Sequence, residues 1–255
     1  MNTGESVRVF WQPGCTSCLR TKEFLTRQGV DYESIDVHGN AAGMEALRAL
    51  GAKSVPIVAR GAEFVYAQSL SDVVRFLMLD VRLHDKLSPQ VLVDRLDVVL
   101  NAAVRYVRQL PYAALGRPFR NRNRPIRDLA HHVFRIPQAF VEAISTGREL
   151  TYELIMQPPG ADLRTGEDIA RYGLGVLAEA KRWWAGYPDR SCQQTMDTYF
   201  GRHSVHDVLE RSVWHPAQHT RQLMLVLESF GIEPVGPLTP ADLAGLPLPE
   251  KAWDD

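Results

Sequence analysis

Two short clusters carry residue types able to do chemistry: Cys15-Thr16-Ser17-Cys18 and His215-Pro216-Ala217-Gln218-His219. A cysteine at a helix N-terminus has its thiolate favoured by the helix dipole and by free backbone N–H groups, so it becomes nucleophilic at neutral pH. Cys15 is therefore the expected nucleophile. Cys18, one turn on, can resolve a mixed disulfide by attacking it from within the chain. Half of a zinc site is the functional alternative, with no second C-x-x-C nearby to complete it, and two buried thiols is the bland one. Two histidines four residues apart on a helix point the same way, about 5–6 Å apart at Cβ. They can grip one metal ion if a facing helix adds a third ligand. The bland reading there is a pair of core histidines hydrogen-bonded to neighbours.

The elements that must position these groups follow from periodicity. Val7 to Trp11 reads as a buried strand, Gln12-Pro13-Gly14 as a turn, and Cys15 to Cys18 as the opening of a helix stopped by Gly29. A strand over Asp31 to Val37, a helix over Asn40 to Leu50, strands at Pro56 to Arg60 and Glu63 to Tyr66, and a helix over Ser71 to Leu79 complete a βαβαββα order. Residues 80–87 form a linker.

A second pattern begins at Ser88-Pro89, an N-cap followed by proline at the first helical position. Leu92, Leu96, Val99, Ala103 and Tyr106 then recur at helical spacing. A second helix opens near Pro125 with Ile126, Leu129, Val133, Ile136 and Phe140 as its buried stripe. His132 lies on the edge of that stripe, whereas His131 sits over Arg127, Asp128 and Arg135 on the expected wet face. If one of the pair is a ligand, it is His132. The connecting loop, Gly116 to Arg127, holds five arginines, Arg120 and Arg124 among them. It reads either as an anion site for the carboxylates of a thiol cofactor or substrate, or as a solvated loop. Thr165-Gly166-Glu167-Asp168 is a capping-box pattern ahead of the third helix. Cys192 follows in a polar loop and reads most simply as a lone thiol, with resolution of a disulfide of the first domain as the sharper reading. The fourth helix runs from Ser204 to Phe230, with Val205, Val208, Ser212, His215, His219, Gln222 and Val226 on one inward stripe. Pro216 and Pro137 interrupt hydrogen bonding inside two helices, so a kink or opening is expected beside His215. Residues 233–255 read as an extended tail.

Composition bounds these readings. The apolar fraction of 45%, the charged fraction of 23% and a net charge of −1 are those of a globular protein with no electrostatic bias towards nucleic acid or an anionic membrane. No apolar run approaches the roughly 20 residues of a membrane span. Three cysteines, two in C-x-x-C, suit redox chemistry in a reducing compartment, so a cytoplasmic location is expected.

With these residues in hand, Trp11-Gln-Pro-Gly-Cys-Thr-Ser-Cys18 and Ser54-Val55-Pro56 resemble the glutaredoxin family over residues 6–79. The resemblance implies a cis Val55-Pro56 bond lying against the C-x-x-C, where a thiol such as glutathione docks. Tyr66-Ala67-Gln68 stands where the family has Gly-Gly, and Gln12 where a basic residue is common; disulfide chemistry is better supported than tight glutathione binding. Residues 88–232 resemble the DinB/YfiT-like family, through Asp128-Leu-Ala-His-His132 and His215-Pro-Ala-Gln-His219-Thr-Arg-Gln222. That resemblance implies a four-helix bundle with His132, His215 and His219 holding a divalent metal, and relatives that are thiol-dependent transferases and isomerases; the ligand types fit zinc best, with nickel, iron and manganese as alternatives that imidazole also suits.

The expected fold class is thus α+β in two domains, a thioredoxin-like α/β sandwich followed by a four-helix up-down bundle. The expected function is a thiol-disulfide oxidoreductase fused to a metal-dependent thiol transferase or hydrolase. Its expected partners are a low-molecular-weight thiol and an electrophilic small molecule, with a homodimer as the protein partner considered. The competing readings are a metal- or thiol-stress binding or carrier protein kept reduced by its first domain, and a plain disulfide reductase with the bundle as docking module.

Overall fold

The computed structural model describes residues 5–254, which form two compact units: residues up to Asp85 together with Pro249 onward, and Lys86–Leu248. The first unit runs β1 (Val7–Trp11), α1 (Thr16–Arg27), β2 (Tyr32–Asp36), α2 (Ala41–Ala49), β3 (Ile57–Arg60), β4 (Glu63–Tyr66) and α3 (Leu70–Leu77). Its sheet has the order β2-β1-β3-β4, with β1 parallel to β2 and antiparallel to β3, and β4 antiparallel to β3. Because side chains alternate along a strand, β1 feeds two cores. Val7 and Val9 pack with Phe24, Leu25, Val73 and Leu77, while Phe10 packs on the other face with Val37, Leu47 and Ile57. A strand buried on both faces must be continuously apolar, which is why Val7 to Trp11 shows no polar alternation beyond Arg8. The mixed α/β sandwich agrees with the expectation from sequence.

Asn40 and Ser69 cap α2 and α3 by accepting hydrogen bonds from the N–H groups of Gly43 and Asp72. Val81 and Leu83 pack against the first core, so much of the linker belongs with this unit. So does the end of the described chain. Glu23 on α1 accepts the Glu250 and Lys251 N–H groups at 2.7 and 3.1 Å, and Gly14 N–H donates to Asp254 Oδ1 at 2.8 Å. The Trp253 ring covers Gly14, where an added Cβ would lie 2.7 Å from the indole; with φ at +64°, this position suits glycine twice over. Trp253 is 3% exposed. Trp253→Ala is expected to destabilise the first unit by about 3 kcal/mol, the scale of deleting a buried indole. The check is a lowered unfolding midpoint for that unit with the bundle's transition unmoved.

The second unit is a helical bundle of α4 (Pro89–Gln109), α5 (Ile126–Thr146), α7 (Gly166–Gly186) and α8 (Val205–Ser229), with a short α6 (Tyr152–Ile155) and α9 (Pro240–Leu243). Ser88 caps α4 ahead of Pro89, Thr165 and Asp168 form the capping box of α7, and Ser204 caps α8. α4 and α5 each pack chiefly against α7 and α8, so the consecutive pairs sit on the diagonals. The α5–α7 seam is tight: a Cβ on Gly173 would come within 2.5 Å of the Phe134 ring.

Two stretches read as loops are hairpins: β5 (Pro118–Phe119) with β6 (Arg122–Pro125), and β7 (Thr195–Thr198) with β8 (Gly201–Ser204). Neither shows an apolar alternation, since each is a short ribbon over the bundle. α8 is continuous from Val205 to Ser229 with Pro216 inside it. The ring removes the N–H that would have bonded the Ser212 carbonyl. No helix among the described residues is long and apolar enough to cross a membrane.

Candidate redox and metal sites

Cys15 is the N-cap of α1 and Cys18 lies in its first turn. The two are joined as a disulfide, with Cα atoms 5.2 Å apart. The Cys18 N–H points at Cys15 Sγ at 3.2 Å, so the helix N-terminus is directed at the sulfur expected to act as nucleophile. Cys15 is partly exposed whereas Cys18 is fully buried. That asymmetry suits attack from outside at Cys15 and resolution from inside at Cys18. The Val55-Pro56 bond is cis, and Gln68 Nε2 donates to the Val55 carbonyl at 3.2 Å. Beside the motif, Lys22 Nζ lies 3.4 Å from the Trp11 ring centroid. Burial lowers the Lys22 pKa, with Asp254 and Asp36 opposing it.

In the bundle, His132 of α5 meets His215 and His219 of α8, their ligand atoms all within 4.8 Å of one another and all three rings buried. Four-residue spacing puts His215 and His219 on one face with ring centroids 5.0 Å apart; His132 faces them at 5.9 and 5.2 Å. His219 Nδ1 bonds Gln222 Oε1 at 2.7 Å. The amide oxygen only accepts, so Nδ1 carries the proton and Nε2 keeps its lone pair for the cluster. His215 Nδ1 is buried with no hydrogen-bond partner among the described residues.

Desolvation holds all three imidazoles well below their ordinary pKa. His219 and Arg124 add to this at His132, Arg211 and His219 at His215, and Arg124 at His219, where the Gln222 bond acts the other way. They are therefore neutral at pH 7, the state in which imidazole ligates. Three convergent neutral imidazoles, with no carboxylate or thiolate in the group, fit a borderline divalent cation such as zinc.

The other residues singled out in the sequence fall as follows. Arg124, at the end of β6, acts electrostatically on all three histidines, whereas Arg120 is exposed at the hairpin turn with φ +52° and lies over the Phe119 ring. The two are not brought together as one site. His131 corrects the expectation of a wet face: it is buried and stacked on Tyr172 at 5.0 Å. That side of α5 is covered by α6 and α7, and Arg135 beneath it donates to the Leu154 carbonyl and pairs with Glu142. Burial, then Arg135 and Arg127, push its pKa down to about 4. Cys192 is buried, and burial with Asp189 raises its thiol to about 11, an unreactive state. His206 Nε2 bonds the Leu87 carbonyl, and His203 Nε2 the Phe200 carbonyl.

Sequence reasoning missed Arg211. It lies four residues before His215, a spacing that was available as a signal, and it is 4% exposed.

Residues 7–65 match the glutaredoxin family model. The gene 56 protein of mycobacterium phage L5 is 40% identical over 53 residues, 20% of this chain and 52% of the phage protein. That of phage D29 is 36% identical over 53 residues, 20% of this chain and 59% of its own length. The chain thus spans between half and three-fifths of the length of the curated relatives it matches. A DinB-like protein of Bacillus subtilis superposes with a TM-score of 0.46 at 12% identity, over 58% of this chain and 95% of its own. The first unit of this chain, with its C-x-x-C at a helix N-terminus and its cis-proline, carries a glutaredoxin-family domain.

Proposed function

We propose that the protein is a two-part thiol-dependent metalloenzyme in a reducing, cytoplasmic setting, in which the bundle joins a thiol or water to an electrophilic small molecule and the first unit exchanges disulfides. The observation that carries the first half is the convergence of three buried neutral imidazoles from two helices, together with the protonated Nδ1 that fixes His219. A divalent ion held by His132, His215 and His219, best zinc, would lower the pKa of a thiol or water and polarise the electrophile. The chain itself supplies buried surroundings in which the ligands stay neutral.

For the first unit, the partly exposed Cys15 thiolate attacks one sulfur of a substrate disulfide, forming a mixed disulfide and releasing one thiolate. The Cys18 thiolate then attacks Cys15 Sγ, releasing the second thiolate and leaving the Cys15–Cys18 disulfide. Two electrons pass to the substrate, and a low-molecular-weight thiol such as glutathione, at two equivalents, restores the dithiol. The Val55-Pro56 edge is the docking edge for that thiol.

Zinc-loaded protein should consume glutathione when given a panel of haloalkane, epoxide and enal electrophiles, with His219→Ala inactive and Cys15→Ser active for the first turnovers. Tight zinc binding with no turnover of any electrophile would instead support a metal-binding or carrier protein. Disulfide reduction without electrophile turnover or zinc binding, unchanged in His219→Ala, would support a disulfide reductase with an accessory bundle.

A further inference from the structure

We infer that the three-histidine site takes a carboxylate-bearing ligand, anchored by Arg211; this rests on the proposed metal site and names its substrate class. Arg211 is almost fully buried on α8, one turn before His215. Its Nη2 donates to the Tyr199 hydroxyl at 3.1 Å, and its guanidinium lies 5.3 Å from the Phe200 ring centroid. Among the described residues its Nε and Nη1 have no acceptor, and neither does Nη2 of Arg124. Both charges bear on all three imidazoles, and Arg211 stands on the same helix as His215 and His219, four residues before His215.

A buried guanidinium without an anion is among the most costly arrangements a fold can keep, and every unsatisfied buried donor calls for a partner. Asp128 is the carboxylate acting on Arg124, and no carboxylate bonds to Arg211 among the described residues. The centre would combine two guanidiniums, three neutral ligands and a doubly charged ion. Its unmet demand is for negative charge with acceptor oxygens, which a carboxylate supplies to planar guanidinium donors. Tyr152, whose ring lies 5.5 Å from that of Tyr199, has its phenol under the charges of Arg122 and Arg124. The carboxylate belongs either to the electrophile or to the thiol.

Calorimetric titration of the zinc-loaded full chain separates these. Succinate is expected to bind saturably, its diamide to bind at least about tenfold more weakly, and Arg211→Gln to lose succinate by a similar factor while keeping wild-type zinc content. If succinate fails but 3-mercaptopropionate binds, and both its methyl ester and Arg211→Gln lose binding, the carboxylate is the thiol's, which also supports the assignment. Equal binding by Arg211→Gln, equal binding of the diamide, or binding of phosphate alone overturns it. Should Arg211→Gln not fold, Arg211→Lys and Arg124→Gln, each checked by circular dichroism, carry the same comparison. Repeating the titration on zinc-stripped protein keeps the two readings apart: Arg211-dependent binding there supports the anion subsite even if wild type holds no zinc.

Discussion

Replacing His219 with alanine is expected to leave a folded bundle that no longer retains metal. Wild-type protein should carry about one divalent ion per chain after purification, and the variant less than about a tenth of that. The loss is large because a site of three imidazoles keeps only two when one is removed, and two leave neither the geometry nor the affinity of a catalytic centre. The fold should survive because the bundle is held by the apolar core between α4, α5, α7 and α8, which the substitution leaves in place. Elemental analysis after gel filtration gives the metal content, and far-ultraviolet circular dichroism the helix content. His132→Ala, from the opposite helix, should behave the same way. Equal metal in wild type and both variants would show that the ion sits elsewhere. His131→Ala is the control, because its ring stacks on Tyr172 and lies outside the cluster.

The second large effect is expected at Cys15. Cys15→Ser should lower disulfide reduction by at least about a thousandfold, since a hydroxyl at that helix N-terminus is no nucleophile at neutral pH, while metal content stays at the wild-type value. Cys18→Ser should differ in kind. The first attack still occurs at the partly exposed Cys15, so a mixed disulfide accumulates and shows by mass as one thiol added per chain. Reduction persisting in Cys15→Ser would move the nucleophile to another sulfur. Cys192 is the only other cysteine and is buried with a raised pKa, so it is poorly suited to take over.

Much of this was legible because the relevant signals are local. Ser88-Pro89 and Thr165 with Asp168 mark helix starts by chemistry that acts over three residues, and both cap as expected. The inward stripe of α8 put His215, His219 and Gln222 on one face, and the edge position of His132 separated it from His131. What was illegible depends on non-local packing. A stripe says which face of a helix is buried, not which neighbour covers it, so the diagonal placement of α4 and α5 could not be read. His131 and Arg135 read as solvent-facing because their cover, α6 and Tyr172, comes from distant sequence. Arg211 shares the stripe of the histidines, but arginine on a helix is normally wet. The tail's seat on Gly14 spans 240 residues and left no periodic trace.

That seat has a consequence for the order in which the protein is made. A chain emerging from the ribosome at about 5–20 residues per second completes the sheet of the first unit early. The indole that covers Gly14 and the carboxylate that accepts its N–H arrive only after the whole bundle has been synthesised. Until then the turn leading into Cys15 lacks part of its buried surface, and the nascent first unit is less settled than the finished one. The dithiol motif therefore passes through an interval in which its sulfurs are present but its last supports are not. Residues 249–254 act as a late closure, coupling the completion of the redox unit to synthesis of the bundle it accompanies.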